Sequence, residues 1–401
     1  MAKHQKTGIL CTTLLGLTLL AGTAYAGPRM TFGPNDEGAL QLDYKGQFQM
    51  TLRDLGSGDG NEDTTMNFNF RRNRLALMGK YGDMMSIYVQ TEYTDDQNLT
   101  PLDVASENQG SNFQLLDAVV RFKIDNAFRV NVGKFKYNLS RENLEACEMP
   151  LTLDRSLFIR APYVTTRDTG VAVWGNLFND MFQYRLDAME GRKAVSGDTA
   201  PASNFRYSAR AHVTLLDPEN DYGYKGTYLG KKKVATFGAA YQFEPDIAYA
   251  DTIARTGKKD YKAWTFDGFV EYPFEGLGTF TASGAYEKID LDDAYLGDNP
   301  DANVIGINGE KNGYYLKAGY MLPNIPLQLF VRHENWKFAN LNGIFDQRIF
   351  WTGGGMNYYL RDQNLKLTFE ANSTGFRNGT GTQADKTEDF MTYVTQLQVI
   401  F

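Results

Sequence analysis

The chain has 401 residues, of which 22% are charged, a formal net charge of −7 and a mean hydropathy of −0.42. No apolar stretch beyond the first 26 residues is long enough for a helical span, which excludes a helical membrane protein. Tyr (24), Phe (26) and Gly (39) are abundant. This usage is typical of strands that bend round a barrel and of aromatic girdles at a membrane surface.

The N-terminus has the pattern of a secretory signal peptide. Positive charges precede an apolar run over residues 8–21, and small residues lead up to Ala26. Cleavage after Ala26 would remove residues 1–26 and leave residues 27–401 as one exported domain. That domain retains a single cysteine, Cys147, and therefore forms no internal disulfide.

Apolar and polar residues alternate over the first strand that follows. The apolar or small positions are Leu40, Leu42, Tyr44, Gly46, Phe48, Met50 and Leu52. A period of two predicts a strand with one apolar face and one polar face. The pattern recurs about sixteen times and ends on the terminal residue of the chain, in the set Tyr393, Thr395, Leu397, Val399 and Phe401. The sequence therefore predicts an all-β protein, a transmembrane antiparallel β-barrel of about sixteen strands with a water-filled lumen.

The connections between these strands alternate in length, as in outer-membrane barrels with short periplasmic turns and long external loops. Short links are predicted near 81–84, 124–127, 176–180, 273–278, 321–326 and 360–364. Long links are predicted near 53–66, 94–111, 137–168, 191–204, 244–260, 288–311, 337–347 and 372–387. Only the link near 216–231 breaks the alternation. This alternation of short and long links indicates an even number of strands with both chain ends in the periplasm.

The polar faces carry more cations than carboxylates. The inward basic residues are Lys45, Arg72, Arg74, Lys80, Arg121, Lys123, Arg129, Arg185, Arg206, Arg210, Lys317, Arg332 and Lys366. The inward acidic residues are Asp43, Glu92, Asp117, Asp187, Asp267, Glu271, Glu287, Glu334 and Glu370. Such a surplus would attract anions in a confined channel. The alternative is that the arginines pair with Asp117, Asp187 or Glu92 and stiffen the wall.

Several short motifs resemble the phosphate-selective porin O/P family. They are Arg71-Arg72-Asn73-Arg74, Val132-Gly133-Lys134-Phe135-Lys136, Leu153-Asp154-Arg155-Ser156-Leu157, Asp168-Thr169-Gly170-Val171, Trp174-Gly175-Asn176-Leu177-Phe178, Tyr228-Leu229-Gly230-Lys231-Lys232-Lys233 and Asn357-Tyr358-Tyr359-Leu360. The resemblance implies a sixteen-stranded trimeric porin of the bacterial outer membrane, with the third external loop folded into the lumen. It also implies a constriction lined by Lys and Arg, which adds Lys134, Lys136 and Arg155 to the site.

The residues predicted to line the anion path are Arg72, Arg74, Arg121, Lys134, Lys136, Arg155, Arg206 and Arg210. The function predicted for the chain is passive, anion-preferring diffusion of small oxyanions through the outer membrane. The solute would resemble phosphate, or selenite and tellurite, because the chain also looks like the branch of this family found with selenite and tellurite reduction systems. That branch implies association with periplasmic or outer-membrane reductase components. The alternative function is a structural barrel that holds an electron-transfer partner.

Other chemistry has little support in the sequence. The mature chain offers only His212 and His333 as imidazole bases, and neither has a second His or Cys at ligand spacing. No Cys-x-x-Cys-His motif is present, so the chain attaches no c-type haem. We expect no catalytic residues, no metal, no cofactor and no nucleic-acid partner.

Overall fold

The computed structural model describes residues 27–54, 64–94, 112–156, 166–192, 200–202, 204–251, 253–292, 310–341, 344–380 and 388–401. The predicted signal peptide, residues 1–26, lies outside the described residues, as does the stretch 157–165 of the third external loop. Within the described ranges, no helix has the length and hydropathy needed to cross a membrane.

Seventeen strands and two short helical turns make up the described structure. The strands are β1 (Arg29–Phe32), β2 (Gly38–Arg53), β3 (Thr65–Tyr81), β4 (Met85–Thr94), β5 (Asn112–Lys123), β6 (Arg129–Lys136), β7 (Arg167–Leu177), β8 (Phe182–Met189), β9 (Arg206–Thr214), β10 (Val234–Asp251), β11 (Thr256–Phe274), β12 (Gly278–Asp290), β13 (Lys311–Met321), β14 (Leu327–Leu341), β15 (Ile344–Arg361), β16 (Leu365–Arg377) and β17 (Phe390–Ile400). A 3-10 turn covers Pro34–Asp36, and the single α-helical turn of these ranges, α1, covers Arg141–Leu144.

Strands β2 to β17 form a closed antiparallel barrel, which confirms the predicted sixteen strands. Each strand pairs with the next along the chain, and β17 closes the barrel by pairing with β2. The short β1 adds to the lower end of β2, where Arg29 lies opposite Gln41. Closure leaves no unpaired strand edge in the wall. A β-structure in a bilayer requires this, because unpaired backbone groups find no water to bond with in the lipid.

The side chains of each strand divide between two environments as the alternation predicts. On β16, Leu367 and Phe369 are exposed on the outer face, while Lys366, Thr368 and Glu370 are buried inside. Exposed apolar side chains on every second position suit contact with lipid tails. Their neighbours face the lumen.

Two external loops are much shorter than predicted. The links near 244–260 and 337–347 were both expected to be long, but paired backbone continues to Asp251 opposite Thr256 and to Leu341 opposite Ile344. The upper part of the β10–β11 hairpin carries polar residues such as Lys258. Because the strands there extend beyond the lipid layer, their side chains need no apolar alternation, and the period-two pattern stops before the strands do.

The lumen is not uniformly polar. One apolar cluster inside the barrel includes Phe135, Tyr137, Leu139 and Tyr261, and a second includes Tyr315, Trp336, Phe338 and Trp351. These clusters show that part of the interior is packed with side chains. Side chains therefore fill part of the barrel's cross-section.

Candidate functional site: the lumen and its two inserted segments

The first part of the third external connection crosses the barrel interior. We call its described residues 137–156 the inner loop. The backbone N–H of Arg141 donates to Asp267 on β11 over 3.0 Å, and Glu148 forms an ion pair of 2.5 Å with Lys45 on β2. Strands β2 and β11 lie on nearly opposite sides of the sixteen-stranded wall. The inner loop therefore spans the lumen.

The turn α1 fixes the direction of the inner loop. Ser140 is in an extended conformation and its hydroxyl accepts the backbone N–H of Asn143 over 3.1 Å, which caps the turn. The Glu142 carboxylate reaches Lys317 on β13 and accepts the backbone N–H of Ser156 over 2.7 Å. These contacts tie both ends of the loop together against one wall of the barrel.

A second segment enters from the periplasmic side and meets the inner loop. This is the connection between β9 and β10, residues 215–233, which we call the periplasmic connection. The backbone N–H of Ala146 donates to the Tyr224 carbonyl over 2.9 Å, and that of Gly226 donates to the Met149 carbonyl over 2.9 Å. The unusual length of this link, seen in the sequence, is explained because the segment turns inward.

A buried ion pair locks the two inserted segments together. The Arg141 guanidinium donates two hydrogen bonds to the Glu219 carboxylate, over 2.6 and 2.7 Å, and both side chains are almost fully buried. The Tyr228 hydroxyl donates to the same carboxylate over 2.6 Å. Burial alone would raise the pKa of Glu219, but Arg141 and the Tyr228 hydroxyl outweigh it and lower this pKa to about 2.

The two predicted arginines on β3 lie on the inner wall, and each has a carboxylate partner. Arg72 pairs with Asp154 of the inner loop over 2.8 Å, and Arg74 pairs with Glu92 of β4 over 2.6 Å. The pairing of Arg74 with Glu92 is the wall-stiffening arrangement that the sequence left open. Both arginines therefore help to hold the wall and the inner loop in position.

The two predicted arginines on β9 are paired in the same way. Arg206 contacts Glu244 over 2.7 Å, and Arg210 forms a bidentate pair with Asp267 over 2.6 and 2.8 Å. Asp187, considered as a partner for the arginines, accepts instead from the side chain of Asn138 over 2.7 Å. The β9 arginines are almost fully buried in a neutralised wall.

The predicted lysines on β6 lie in different places. Lys134 shares the outward side of β6 with Val132, and its ammonium donates to the Leu115 carbonyl over 2.8 Å. The prediction that Lys134 lines the lumen is therefore wrong. Lys136 is the last residue of the strand, where the chain bends inward to begin the inner loop, and its ammonium lies 3.9 Å from Cys147 Sγ.

Cys147 occupies a strongly positive part of the inner loop and is 1% exposed. Burial alone would raise the pKa of its thiol, but Arg155, Lys136, Arg74 and Arg72 lower this pKa well below its usual range. Arg155 itself donates to the carbonyl oxygen of Glu142 over 2.8 Å. Its guanidinium is held by backbone carbonyls, so its positive charge is not cancelled.

A cavity of about 510 Å³ remains between the inserted segments and the wall formed by β3 to β7. It extends from the exposed periplasmic turn at Asp83 to Cys147 of the inner loop. The basic residues that line it are Arg74, Lys80, Arg121, Lys123, Arg129, Lys136 and Arg167. The acidic residues that line it are Asp83, Asp117, Glu148 and Asp221. Aromatic side chains complete the lining, with Tyr88, Phe135, Trp174 and Tyr222 among them.

Sequence reasoning missed the contribution of the periplasmic connection. Tyr222 lies against both Phe135 and Trp174, with ring centroids 6.0 and 5.3 Å away, and its hydroxyl donates to the Lys136 carbonyl over 3.1 Å. The available signal was the exceptional length of this link. Two tyrosines two residues apart, Tyr222 and Tyr224, also suggest a segment that packs against something.

A closed sixteen-stranded barrel with an apolar outer face and a lumen crossed by a loop defines an outer-membrane channel of the porin class. The chain belongs to the family described as phosphate-selective porin O and P, whose sequence profile matches residues 42–401. This membership places the protein in the bacterial outer membrane.

Known proteins agree with this assignment at the level of the fold. The outer-membrane channel DcaP of Acinetobacter baumannii is similar over 93% of this chain and 100% of its own, with 14% identity and a TM-score of 0.55. Salmonella typhi OmpF, solved in complex with daunomycin, is similar over 93% of this chain and 100% of its own, with 12% identity and a TM-score of 0.57. An uncharacterized protein of Aquifex aeolicus (strain VF5) is 24% identical over 261 residues, which is 60% of this chain and 58% of that protein's length.

Proposed function

We propose that the protein is a passive channel that prefers small oxyanions, of the phosphate or selenite type, and that the anions move along the cavity beside β3 to β7. The path would run between the wall and the inner loop, past Lys136 and Arg121. The remainder of the lumen would serve to hold the inserted segments.

The observation that carries this proposal is a set of cations without ion-pair partners along one side of the lumen. Within the described residues, Arg121, Lys123 and Arg129 line the cavity and form no ion pair, whereas Lys136 lies beside the Cys147 sulfur and Arg74, Arg167 and Lys80 are each paired with a carboxylate. Uncompensated positive charge in a narrow, low-dielectric passage attracts anions and repels cations.

On the opposite side of the lumen the cations are paired with carboxylates, and this contrast supports the same path. Arg332 on β14 lies between Glu334 and Glu370, and Lys317 on β13 pairs with Glu142. These cations are neutralised and almost fully buried. An anion there would have to displace a carboxylate that is already in contact, which makes that side a poor path.

The reversal potential in a potassium chloride gradient across a planar bilayer tests the proposal. We expect the wild-type channel to favour chloride, and the double variant Arg121→Glu with Lys136→Glu to lose or invert that preference. Lys258→Glu is the matched control, because Lys258 is an exposed external residue that pairs with Asp246. A wild-type reversal potential that favours potassium would refute the anion preference.

Liposome swelling with phosphate, selenite, sulfate and a neutral sugar would identify the solute class. A trimeric assembly and association with reductase components remain part of the proposal, since both rest on family resemblance. A structural barrel that only held an electron-transfer partner would not need unpaired cations along a cavity, so the surplus charge favours the channel.

A further inference from the structure

Four basic side chains lie in one row on the outer face of the barrel, near its external end. The strand register places Lys288 of β12 opposite Asn312 of β13, which in turn lies opposite Lys337 of β14. Arg348 of β15 lies opposite Lys337, and Arg377 of β16 lies opposite Arg348. All five residues have the parity of the lipid-facing residues of their strands, so they point away from the lumen. Because neighbouring strands are about 4.8 Å apart, the row covers about 19 Å of the wall.

This basic row lies just outside the apolar band of the wall. One step closer to the middle of the membrane, the register aligns an upper aromatic row that consists of Phe266, Tyr286, Tyr314 and Phe350, with Asn335 between the last two. Aromatic side chains form girdles at the two interfaces of the membrane. The basic row, one step further toward the external loops, is therefore at the level of the lipid headgroups of the outer leaflet.

Three of these cations are direct cross-strand neighbours, in the order Lys337, Arg348 and Arg377. Like charges directly opposite each other destabilise a sheet. Arg348, the central member, forms no ion pair within the part of the chain that the structure describes, and its guanidinium donates to Asn335 Oδ1 over 3.3 Å. An anion bound across the row would remove the repulsion.

The other cations of the row have carboxylate partners that are themselves exposed. The distance from the cation to the carboxylate is 3.4 Å for Lys288, 2.7 Å for Lys337 and 3.1 Å for Arg377. The exposed fractions of the side chains in these three pairs range from 28% to 62%. Ion pairs so exposed contribute little to stability, because water screens them. A phosphate group can join or replace these carboxylates, and its oxygens suit bidentate contacts with the two guanidiniums.

A shallow apolar groove lies below the basic row, on the outer face of the neighbouring strands β11 to β15. Its volume is about 560 Å³, and its lining includes the small residues Gly268, Ala282, Gly284 and Ala318. The lower aromatic row of the same wall consists of Tyr272, Phe280 and Tyr320. Because the groove lies between the two aromatic rows, it is within the hydrocarbon layer, where an acyl chain can fill it.

The basic row is a local feature of the wall. At the external ends of β3 to β5, the exposed outer residues include Met66, Phe68, Tyr93 and Phe113, all of them apolar or aromatic. Cations at headgroup level above an apolar groove therefore distinguish β12 to β16 from that part of the rim. This combination fits a ligand with an anionic head and an acyl chain.

We propose that the outer face of β12 to β16 binds a phosphorylated glycolipid of the outer leaflet, with its phosphates on Lys337, Arg348 and Arg377 and an acyl chain in the groove. The charge of the row selects an anionic head, and the depth of the groove selects an acyl chain, which free phosphate would leave unfilled. The site faces away from the lumen, so this inference does not depend on the proposed anion path.

Native mass spectrometry of the full mature protein in detergent tests the proposal, with deep-rough lipopolysaccharide as the probe. We expect the wild type to retain the probe. The double variant Arg348→Ala with Arg377→Ala should bind it about 30-fold more weakly, at about fivefold for each charge removed. Lys231→Ala with Lys233→Ala is the matched control, because both are exposed lysines of the periplasmic connection, and it should bind like the wild type.

Ala318→Phe tests the groove separately, because it adds a ring to the groove without changing a charge. We expect binding of the probe to weaken by about fourfold for each methylene group that the ring displaces. Ala188→Phe is the control, since Ala188 lies on the outer face of β8, away from the groove. Heat-modifiable mobility on gels and wild-type conductance establish that each variant is a folded barrel.

Each part of the proposal has a result that overturns it. Equal binding of the probe by the wild type and the Arg348→Ala, Arg377→Ala variant overturns the headgroup site, as does equal binding of a dephosphorylated probe. Equal binding by the wild type and Ala318→Phe overturns the groove. A wild type that retains no lipopolysaccharide overturns the whole proposal. If these substitutions instead dissociate an oligomer that carries no glycolipid, the face binds a second copy of the chain and the proposal is wrong.

Discussion

The contact between the two inserted segments gives the sharpest prediction about the stability of the lumen. Glu219→Gln removes the charge that neutralises Arg141 and leaves an uncompensated guanidinium in an almost fully buried position. Breaking one side of a buried, bidentate ion pair costs about 3–5 kcal/mol. The pKa of Glu219, lowered from 4.5 to about 2, corresponds to about 3 kcal/mol.

We expect this substitution to release the inner loop from the periplasmic connection. Single-channel recordings at pH 7 should show larger open-channel current fluctuations, and chemical unfolding in detergent should report a loss of about 3 kcal/mol. Because the folded pKa of Glu219 is depressed, its stabilising contribution is complete above pH 4.5 and is lost as the pH falls toward 2. The wild-type channel should therefore become noisier in that window.

Glu275→Gln is the matched control, since Glu275 is an exposed glutamate in the turn between β11 and β12. It should leave current noise and stability unchanged. If the Glu219→Gln channel showed the same current fluctuations and the same free energy of unfolding as the wild type at pH 7, Arg141 and Glu219 would not hold the inserted segments together. The interpretation of the lumen as two mutually clamped segments would then fail.

Three further substitutions or modifications follow from the same structure. The lowered pKa of Cys147 predicts that its reaction with a methanethiosulfonate reagent will fall off at a lower pH than the reaction of the same cysteine in the denatured chain, with the anionic reagent faster than the cationic one. Equal pH dependence in the folded and denatured protein, measured by mass spectrometry, would contradict this. Glu148→Gln removes a carboxylate from the cavity lining and should shift the reversal potential further toward chloride, whereas an unchanged reversal potential would show that Glu148 lies off the path. Asp154→Asn breaks the ion pairs with Arg71 and Arg72 and should lower the free energy of unfolding of the barrel by about 3 kcal/mol. A variant that unfolds at the same denaturant concentration as the wild type would show that these ion pairs do not stabilise the barrel.

The barrel was predictable because its constraint is local. A lipid-facing strand must alternate, so each strand's position and the inward direction of Arg72 and Arg210 follow from a few neighbouring residues. Their partners were not predictable. Asp154 lies 82 residues from Arg72 and Asp267 lies 57 residues from Arg210, and only the folded chain brings such residues together.

The errors have equally specific causes. Alternation describes only the part of a strand within the membrane, and the hairpins around 244–260 and 337–347 extend beyond it. Lys134 and Lys136 have the same parity, yet Lys136 reaches the lumen because the chain leaves the strand at that residue. The alternation shows which cations point inward, but it does not show whether they attract anions or stiffen the wall. In the structure those on β9 are paired, and Arg121 and Arg129 lie against the aromatic rings of Tyr88 and Trp174.

Cysteine accessibility locates the ion path within the lumen. Ser86 on β4 lines the cavity, and Ser283 on β12 is a buried inner-wall serine on the opposite side of the lumen. In a Cys147→Ser background, an anionic methanethiosulfonate reagent should reduce the current through the Ser86→Cys channel and leave the Ser283→Cys channel unchanged. A current reduced through Ser283→Cys and unchanged through Ser86→Cys would place the path on the opposite side of the lumen and contradict the path proposed beside β3 to β7.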